Sequence, residues 1–492
     1  MKHFKTIKRI SAAFLAMLVF STSLITNAEE TVDYKAEAEA RKKLRIESNE
    51  VTGWPQGPEI GAEAAILMEA NTGAILYAKN IDERLYPAST TKILTCTLAI
   101  ENSELNETVS FSREAVNSVP WDGSKIGMDA GNELTMEQCL NAILIGSANE
   151  VANAVAEHIG GSMDGFVEMM NRRVEELGLK NTHFVNANGL YNDDHYTSAY
   201  DLAIIARDFF SYEILAKIAR TPTVDFTPTD KQPDEFTVYS KNMLLEGKKY
   251  EYEYLVGSKT GYTDKARQTL VSCARKDGME LICVILKEES PNQFTDTVSL
   301  FEYGFNNFKI ETVGNNELSF DTGTTGFFQT GTDIFGDSKN LLYLDRDALI
   351  LLPKDSEFTD LTMNVIYDSD NVNAVARAEY SFNGVVVGSA DIMVSADETT
   401  LFDDTTNAGL TSDETELPAP VTNLDDKSVF VNIKIVLLCL LGFVVLVSVV
   451  LIVINRIKLE KRKLKRKKPT GKNNNPNVYR STNREHHHNF KL

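Results

Sequence analysis

The stretch Tyr86-Pro87-Ala88-Ser89-Thr90-Thr91-Lys92 constrains this 492-residue chain more than any other. A proline leads into a cluster of hydroxyl residues and Ile93-Leu94-Thr95 follows, so a helix should open near Ser89. Residues three apart share a helix face, which sets the Lys92 amine beside the Ser89 hydroxyl. A serine becomes a useful nucleophile only with such a neighbour. The lysine serves as its base only where burial or a nearby cation keeps it neutral part of the time.

Ahead of this helix, Ala64–Met68 and Ala74–Tyr77 flank Asn71-Thr72-Gly73 and read as a β-hairpin. Ser112–Glu133 is polar and Gly-containing, a loop. Leu134–Ile159 has helical periodicity broken at Gly146–Asn149. Phe166–Leu177 is a second helix with Gly178 as its C-cap, and Ser198–Phe210 a third. Strands return at Thr237–Tyr239, Val256–Thr260, Gln268–Arg275 and Leu281–Leu286, and a helix over Asp296–Tyr303 closes the unit. Strands at both ends of a helical middle predict one sheet assembled from the two ends, with helices on both faces: an α/β (α+β) unit. Residues 309–402 alternate short β-rich runs (Leu341–Leu344, Ala348–Leu352, Thr362–Tyr367, Ala376–Phe382, Val385–Val394) with Gly, Asn and Asp turns, a small all-β domain.

The two ends carry their own signals. Residues 1–28 hold Lys2, Lys5, Lys8 and Arg9 before an apolar run and a small-residue site at Thr26-Asn27-Ala28, the pattern of a signal peptide. Residues 29–52 form a charged arm, with Ala36–Arg45 either a short helix or loose. Residues 403–431 read as an acidic disordered stalk. Residues 432–455 contain an uncharged apolar run long enough to span a bilayer, and 456–492 open on a basic cluster from Arg456 to Lys468. The positive-inside rule places that tail in the cytoplasm and the folded part outside, held in the cell membrane by one pass. The chain has a formal net charge of −20, and since the tail and signal together are strongly basic, the exported part is more acidic still and repels nucleic acid.

Five cysteines (Cys96, Cys139, Cys273, Cys283, Cys439) show no metal spacing; Cys273 and Cys283 could pair across strands, but small core residues are the simpler reading. His486-His487-His488 lies in the tail, away from the chemistry. His158 and His183 read as structural, and His195 and Asp201 as pinning a turn before a helix.

Two further elements complete the pattern. Ser147-Ala148-Asn149 sits at the helix break, where a hydroxyl and a carboxamide can relay a proton and hold an amide. Gly257-Ser258-Lys259-Thr260-Gly261 lies on a strand, bringing a cation, a hydroxyl suited to a carboxylate and glycines for close backbone approach. Ser-x-x-Lys, Ser-x-Asn and Lys-Thr-Gly in that order form the active-serine penicillin-recognising signature. The chain resembles the low-molecular-weight penicillin-binding proteins, specifically the membrane-bound D-alanyl-D-alanine carboxypeptidases. The resemblance extends to Asn171 with Leu177-Gly178, Thr182-x-Phe184, Asn188-Gly189-Leu190, His195–Ala203 and Tyr303-Gly304-Phe305, and covers about residues 53–308. Glu137–Asn141 spells the Glu-x-x-Leu-Asn of class A β-lactamases, but it precedes the Ser-x-Asn element instead of following it and is set aside.

The resemblance implies a β-lactamase/DD-peptidase-like catalytic domain at 53–308, with an antiparallel sheet flanked by helices, then the β-domain and a C-terminal anchor. It implies acyl transfer through Ser89, with Lys92 as base and Ser147 passing the proton to the leaving D-alanine. Lys259 would set the local potential, and Asn149 would hold a substrate amide. Lys259, Thr260 and Gly261 would form the substrate-binding strand, and the backbone N–H groups of Ser89 and Tyr262 the oxyanion hole. No metal or cofactor is implied. The partners are a peptidoglycan stem peptide ending in D-Ala-D-Ala and β-lactams as covalent inhibitors. A transpeptidase or endopeptidase on the same fold, and a membrane β-lactam receptor, are the alternatives; the tail is short for signalling. One departure stands out. The family's carboxylate-binding arginine position is Gln293 here, and an arginine stands at 267 where a glycine is usual, so Arg267 is expected to supply the guanidinium.

Overall fold

Strand residues alternate between two apolar faces, and that alternation builds the molecule. The computed structural model describes residues 33–394, apart from 229, 230, 232, 317–341, 368–370 and 372. The central sheet is antiparallel throughout, in the order Ile75–Lys79, Ala64–Glu69, Met279–Glu288, Arg267–Lys276, Leu255–Thr263. The N-terminal hairpin thus pairs with the last strand before the closing helix, Ile66 opposite Val284, joining the two ends of the unit. On one face, Ile66, Met68, Val271, Cys273, Ile282 and Val284 pack against the helices Lys92–Asn102, Met136–Ile145, Asn149–Gly160 and Ala199–Ser211. On the other, Leu67, Leu270, Leu281, Cys283 and Ile285 share a cluster with Leu300, Phe301 and Phe305 of the helix Asn292–Asn307. Full burial of each such side chain stabilises by about 1.5–3 kcal/mol.

Helices on both faces of one antiparallel sheet agree with the α/β expectation. Several details differ. The 112–133 segment contains a short helix, Arg113–Asn117, because Ser112 caps it by accepting from Ala115 N. The expected strand at Thr237–Tyr239 is present as Phe236–Tyr239 and pairs with Thr223–Phe226, and Thr108–Ser110 pairs with Glu133–Thr135; these partner strands are too short for periodicity to reveal. The closing helix runs from Asn292 to Asn307, longer than its apolar core suggests. The described cysteines Cys96, Cys139, Cys273 and Cys283 are free and buried. Cys283 lies opposite Ser272 and Cys273 opposite Ile282, so the two point to opposite faces of the sheet and do not pair.

Phe308–Thr312 starts a second antiparallel sheet directly after the closing helix, in the order Phe308–Thr312, Leu349–Pro353, Val385–Val394, Ala374–Phe382, Thr362–Ile366, with Leu342–Leu344 also on Val385–Val394. Its Ile350, Leu351, Ala378 and Tyr380 belong to the same buried cluster as the closing helix. Trp54 bridges the two sheets, its ring 5.0 Å from Phe308 and 6.0 Å from Phe382 on the second while its Nε1 donates to Leu76 O of the first at 2.8 Å. In the arm, Tyr34–Arg41 is helical, capped by Asp33 accepting from Ala36 N. The expected signal peptide, stalk, membrane helix and tail lie outside the described residues. Among the described residues, no helix is long and apolar enough to cross a membrane.

Candidate active site

Ser89 sits on the 3-10 turn Ala88–Thr91 that leads into the helix Lys92–Asn102. The turn is strained: Ala88 has a φ of +50°. Two glycines let other chain segments close on it. A Cβ at Gly189, whose φ is +81°, would lie 1.9 Å from Ala88 O. A Cβ at Gly261 would meet Thr269 Oγ1 at 2.3 Å and Ser89 N at 2.9 Å. Only glycine admits the Leu255–Thr263 strand that close to the Ser89 amide. His195 steadies the turn from below: Val185 N donates to its Nδ1 at 3.1 Å, which leaves Nε2–H to donate to Thr91 Oγ1 at 2.8 Å. Burial holds this imidazole far below its ordinary value, at about 3, so it stays neutral. Asp201 accepts from Asn181 N and Thr182 Oγ1 and closes the turn before Ala199–Ser211.

Lys92 is fully buried. Its Nζ lies 3.0 Å from Ser89 Oγ, 2.6 Å from Asn149 Oδ1 and 2.5 Å from Asn188 O. Burial, with the Lys259 charge adding to it, holds its pKa well below the ordinary lysine value. Ser147 occupies the kink between Met136–Ile145 and Asn149–Gly160 at a φ of +58°. Lys259 Nζ donates to Ser147 Oγ at 3.1 Å and to Thr260 O at 2.9 Å. Burial lowers its pKa to about 7.

A cleft opens over these groups in two limbs that share Ser89, Ser124, Lys241 and Tyr262. One limb, about 480 Å³, holds Ser147, Thr260, Gly261, Gln268 and Gln293. The other, about 700 Å³, holds Asn149, Gly189, Tyr191, Thr263 and Asp264. Ser89, Ser147, Asn149, Thr260 and Gly261 therefore line one continuous cleft, with Lys92 and Lys259 buried beneath it.

Arg267 does not join them. It lines neither limb, and its guanidinium closes on Glu289, with Nε to Oε1 at 2.8 Å and Nη2 to Oε2 at 2.7 Å. The Tyr34 ring of the arm covers it, 3.7 Å from Cζ to centroid. Its Nε–Nη2 edge is taken by a carboxylate of the protein and Nη1 lies 3.3 Å from the Tyr262 hydroxyl, so the structure does not bring this residue, expected to receive a substrate carboxylate, to the cleft surface. Sequence reasoning missed the Asn188 carbonyl, although Asn188-Gly189-Leu190 was singled out; the obligate glycine beside it was the available signal. It also missed Glu150, buried, whose Oε1 accepts from Ile126 N and Gly127 N and ties the loop beyond Ser124 to the site.

A serine activated by a buried amine, a second hydroxyl on a second buried amine and a glycine-lined strand along the serine amide define an acyl-transferring serine hydrolase. Comparison with known proteins narrows this. A family model described as Peptidase S11, D-alanyl-D-alanine carboxypeptidase, matches residues 51–290. The D-alanyl-D-alanine carboxypeptidase DacA of Escherichia coli K12 is 31% identical over 335 residues, covering 65% of this chain and 77% of that protein. DacF of Bacillus subtilis, also a D-alanyl-D-alanine carboxypeptidase, is 36% identical over 254 residues, 50% of this chain and 63% of the relative's length. The crystal structure of penicillin binding protein 5 from Haemophilus influenzae superposes with a TM-score of 0.55 at 27% identity, covering 69% of this chain and 98% of that one. The chain belongs to the D-alanyl-D-alanine carboxypeptidase family, the low-molecular-weight penicillin-binding proteins. It is a peptidase of that class, a D-alanyl-D-alanine carboxypeptidase.

Proposed function

We propose that the chain removes the terminal D-alanine from peptidoglycan stem pentapeptides through an ester on Ser89. The observation that carries this reading is the environment of Lys92 Nζ. Two of its three neighbours, Asn149 Oδ1 and Asn188 O, are carbonyl oxygens that only accept. A neutral amine spends its two protons on them, and its lone pair is left for the Ser89 hydroxyl. Lys92 then takes the serine proton as Oγ attacks the carbonyl between the two alanines. Ser147, held by Lys259, passes a proton to the departing nitrogen. The amides of Ser89 and Tyr262 stabilise the oxyanion, an arrangement worth several kcal/mol in such sites. With Oδ1 on Lys92, the Asn149 carboxamide offers its Nδ2 to a substrate carbonyl. Water releases the acyl group. β-Lactams acylate the same serine, but their leaving nitrogen stays tethered.

The reading extends to location. Residues 53–308 are the catalytic unit and 309–402 its β-domain. An export signal at 1–28, a stalk at 403–431 and a span at 432–455 hold them outside the cell membrane, with 456–492 inside. The test is direct. The purified chain is incubated with a D-Ala-D-Ala-terminated pentapeptide and free D-alanine is assayed, while a labelled penicillin is mapped by mass. D-Alanine release and label at Ser89 are expected; label that persists in Ser89→Ala would sink the assignment. A chain cut after Asp426 should be soluble and active, and a folded but inactive product would overturn the anchoring scheme.

A further inference from the structure

Two carbonyl acceptors aim the Lys92 base. With Asn149 Oδ1 and Asn188 O taking its two protons, rotation about the Cε–Nζ bond is fixed and the lone pair faces Ser89 Oγ. Asn149 belongs to the helix Asn149–Gly160, whereas Asn188 O lies on the irregular segment 185–190. That segment lines a cavity of about 210 Å³, together with Asn153, Met163 and Val167. Packing leaves space on its cavity side, so hydrogen bonds must set where the Asn188 peptide stands. Thr95 Oγ1 donates to the neighbouring Ala187 O at 2.6 Å. At Asn188 itself the tie is a pair of buried carboxamides: Asn188 Nδ2 donates to Asn153 Oδ1 at 2.8 Å.

Neither amide of this pair is free to turn. Asn153 Nδ2 donates to Ala115 O at 3.1 Å and to Ser118 Oγ at 3.0 Å, and Asn188 Oδ1 accepts from Leu190 N at 2.9 Å. Turning both together would set Asn153 Oδ1 against Ala115 O and Asn188 Nδ2 against Leu190 N, so the pair has one arrangement. Asn153 stands four residues after Asn149, on the same face of the same helix. Neither Asn153 nor Asn188 lines either limb of the cleft. Resting on the acylation chemistry above, we propose that Asn153 is a positioning residue for acylation: it holds Asn188 O on Lys92, so that one helix sets both acceptors and with them the direction of the base. Asn149 does this directly, and Asn153 does it through Asn188. The covalent step is unaltered: Ser89 Oγ bonds to the carbonyl carbon, its proton passes to Lys92 Nζ, and the C–N bond breaks as the nitrogen takes a proton from Ser147.

The test uses the full chain in detergent and a labelled penicillin at increasing concentration, which separates the reversible complex from the limiting rate of acylation. Asn153→Leu should lower the limiting rate about tenfold or more and leave the reversible constant within about twofold of the native one. Asn188→Ala cuts the same bond from its other end and should give a like loss. The double variant should be no slower than the slower single variant, because both changes act on one bond. A folded single variant that labels at the native rate overturns the proposal, as does a loss confined to the reversible constant. Losses that multiply in the double variant overturn it too, since they would mark two separate loosenings of the structure. Should one single variant not fold, the other reports on the same bond by itself. A native chain that takes no label at Ser89 overturns the acylation reading, whereas labelling indifferent to these variants overturns this proposal alone.

Discussion

The molecule buries lysines in two places, and they behave differently. Under the arm, Lys79 is fully buried and donates to Arg41 O at 2.8 Å and Ile60 O at 2.7 Å, with Glu288, Asp296 and Glu63 close by. Burial lowers its pKa only to about 8, since those carboxylates support the ammonium. Under the cleft, Lys92 meets a hydroxyl and two carbonyls, and the strongest charge upon it is another lysine. Its pKa falls well below the ordinary value. Burial is the larger cause at both, but Lys92 is desolvated more deeply and has a cation beside it, whereas carboxylates offset part of the burial of Lys79.

Four experiments test that contrast. Lys92→Ala should slow acylation of Ser89 by a penicillin by about 10²–10⁴, the usual cost of losing a general base. Lys79→Ala should leave the rate per folded molecule unchanged while lowering the melting temperature. Stopped-flow acylation with calorimetry checks both, and equal kinetic losses would erase the distinction.

Next comes pH. Lys92, depressed, is available as a base at neutral pH, so acylation rises with pH through its titration. Lys259 titrates at about 7, so if its charge is needed the rate falls above that value, about tenfold per unit. Lys259→Arg keeps the charge and should lose the falling limb; a limb that persists belongs to another group.

A smaller effect is expected at Arg267. With its fork on Glu289 and its face under Tyr34, Arg267→Ala should cost about 1–3 kcal/mol of stability in denaturant melts. KM for a carboxylate-ended peptide should stay as in the native chain; a raised KM would return Arg267 to the substrate site.

The smallest concerns Glu288, a fully buried carboxyl whose pKa burial and the neighbouring Asp296 raise to about 8. A folded pKa above the unfolded one means the native state binds the extra proton. Its stabilising share is whole at acid pH and is lost as pH climbs from about 4.5 to 8. Melting temperatures at pH 5 and pH 8 should differ less in Glu288→Gln than in the native chain; an unchanged slope would point to Asp296 instead.

Much of this was legible in the chain. Strand-like runs bounded by turn residues on either side of a helical middle called for one sheet with two covered faces, and the i, i+3 rule set Lys92 beside Ser89. The short ladders at 108–110 and 223–226 were not legible, because three or four residues carry no periodicity. Arg267 shows the limit most clearly. Its planar fork suits a carboxylate, as its residue type promised, but the partner is Glu289 on a neighbouring stretch of the protein itself.

The sequence by itself determined which groups exist: a hydroxyl and an amine one helical turn apart, a Ser-x-Asn at a helix break, a Lys-Thr-Gly on a strand and a glutamine at 293 where the resemblance expects an arginine. Only the tertiary structure decided their state. Lys92 gains its acceptors from positions 149 and 188, Ser147 its cation from 259, and Gln293 its one partner from 268. Burial and the sign of nearby charge set a pKa, and both are properties of segments far apart in the chain that meet only once it has folded.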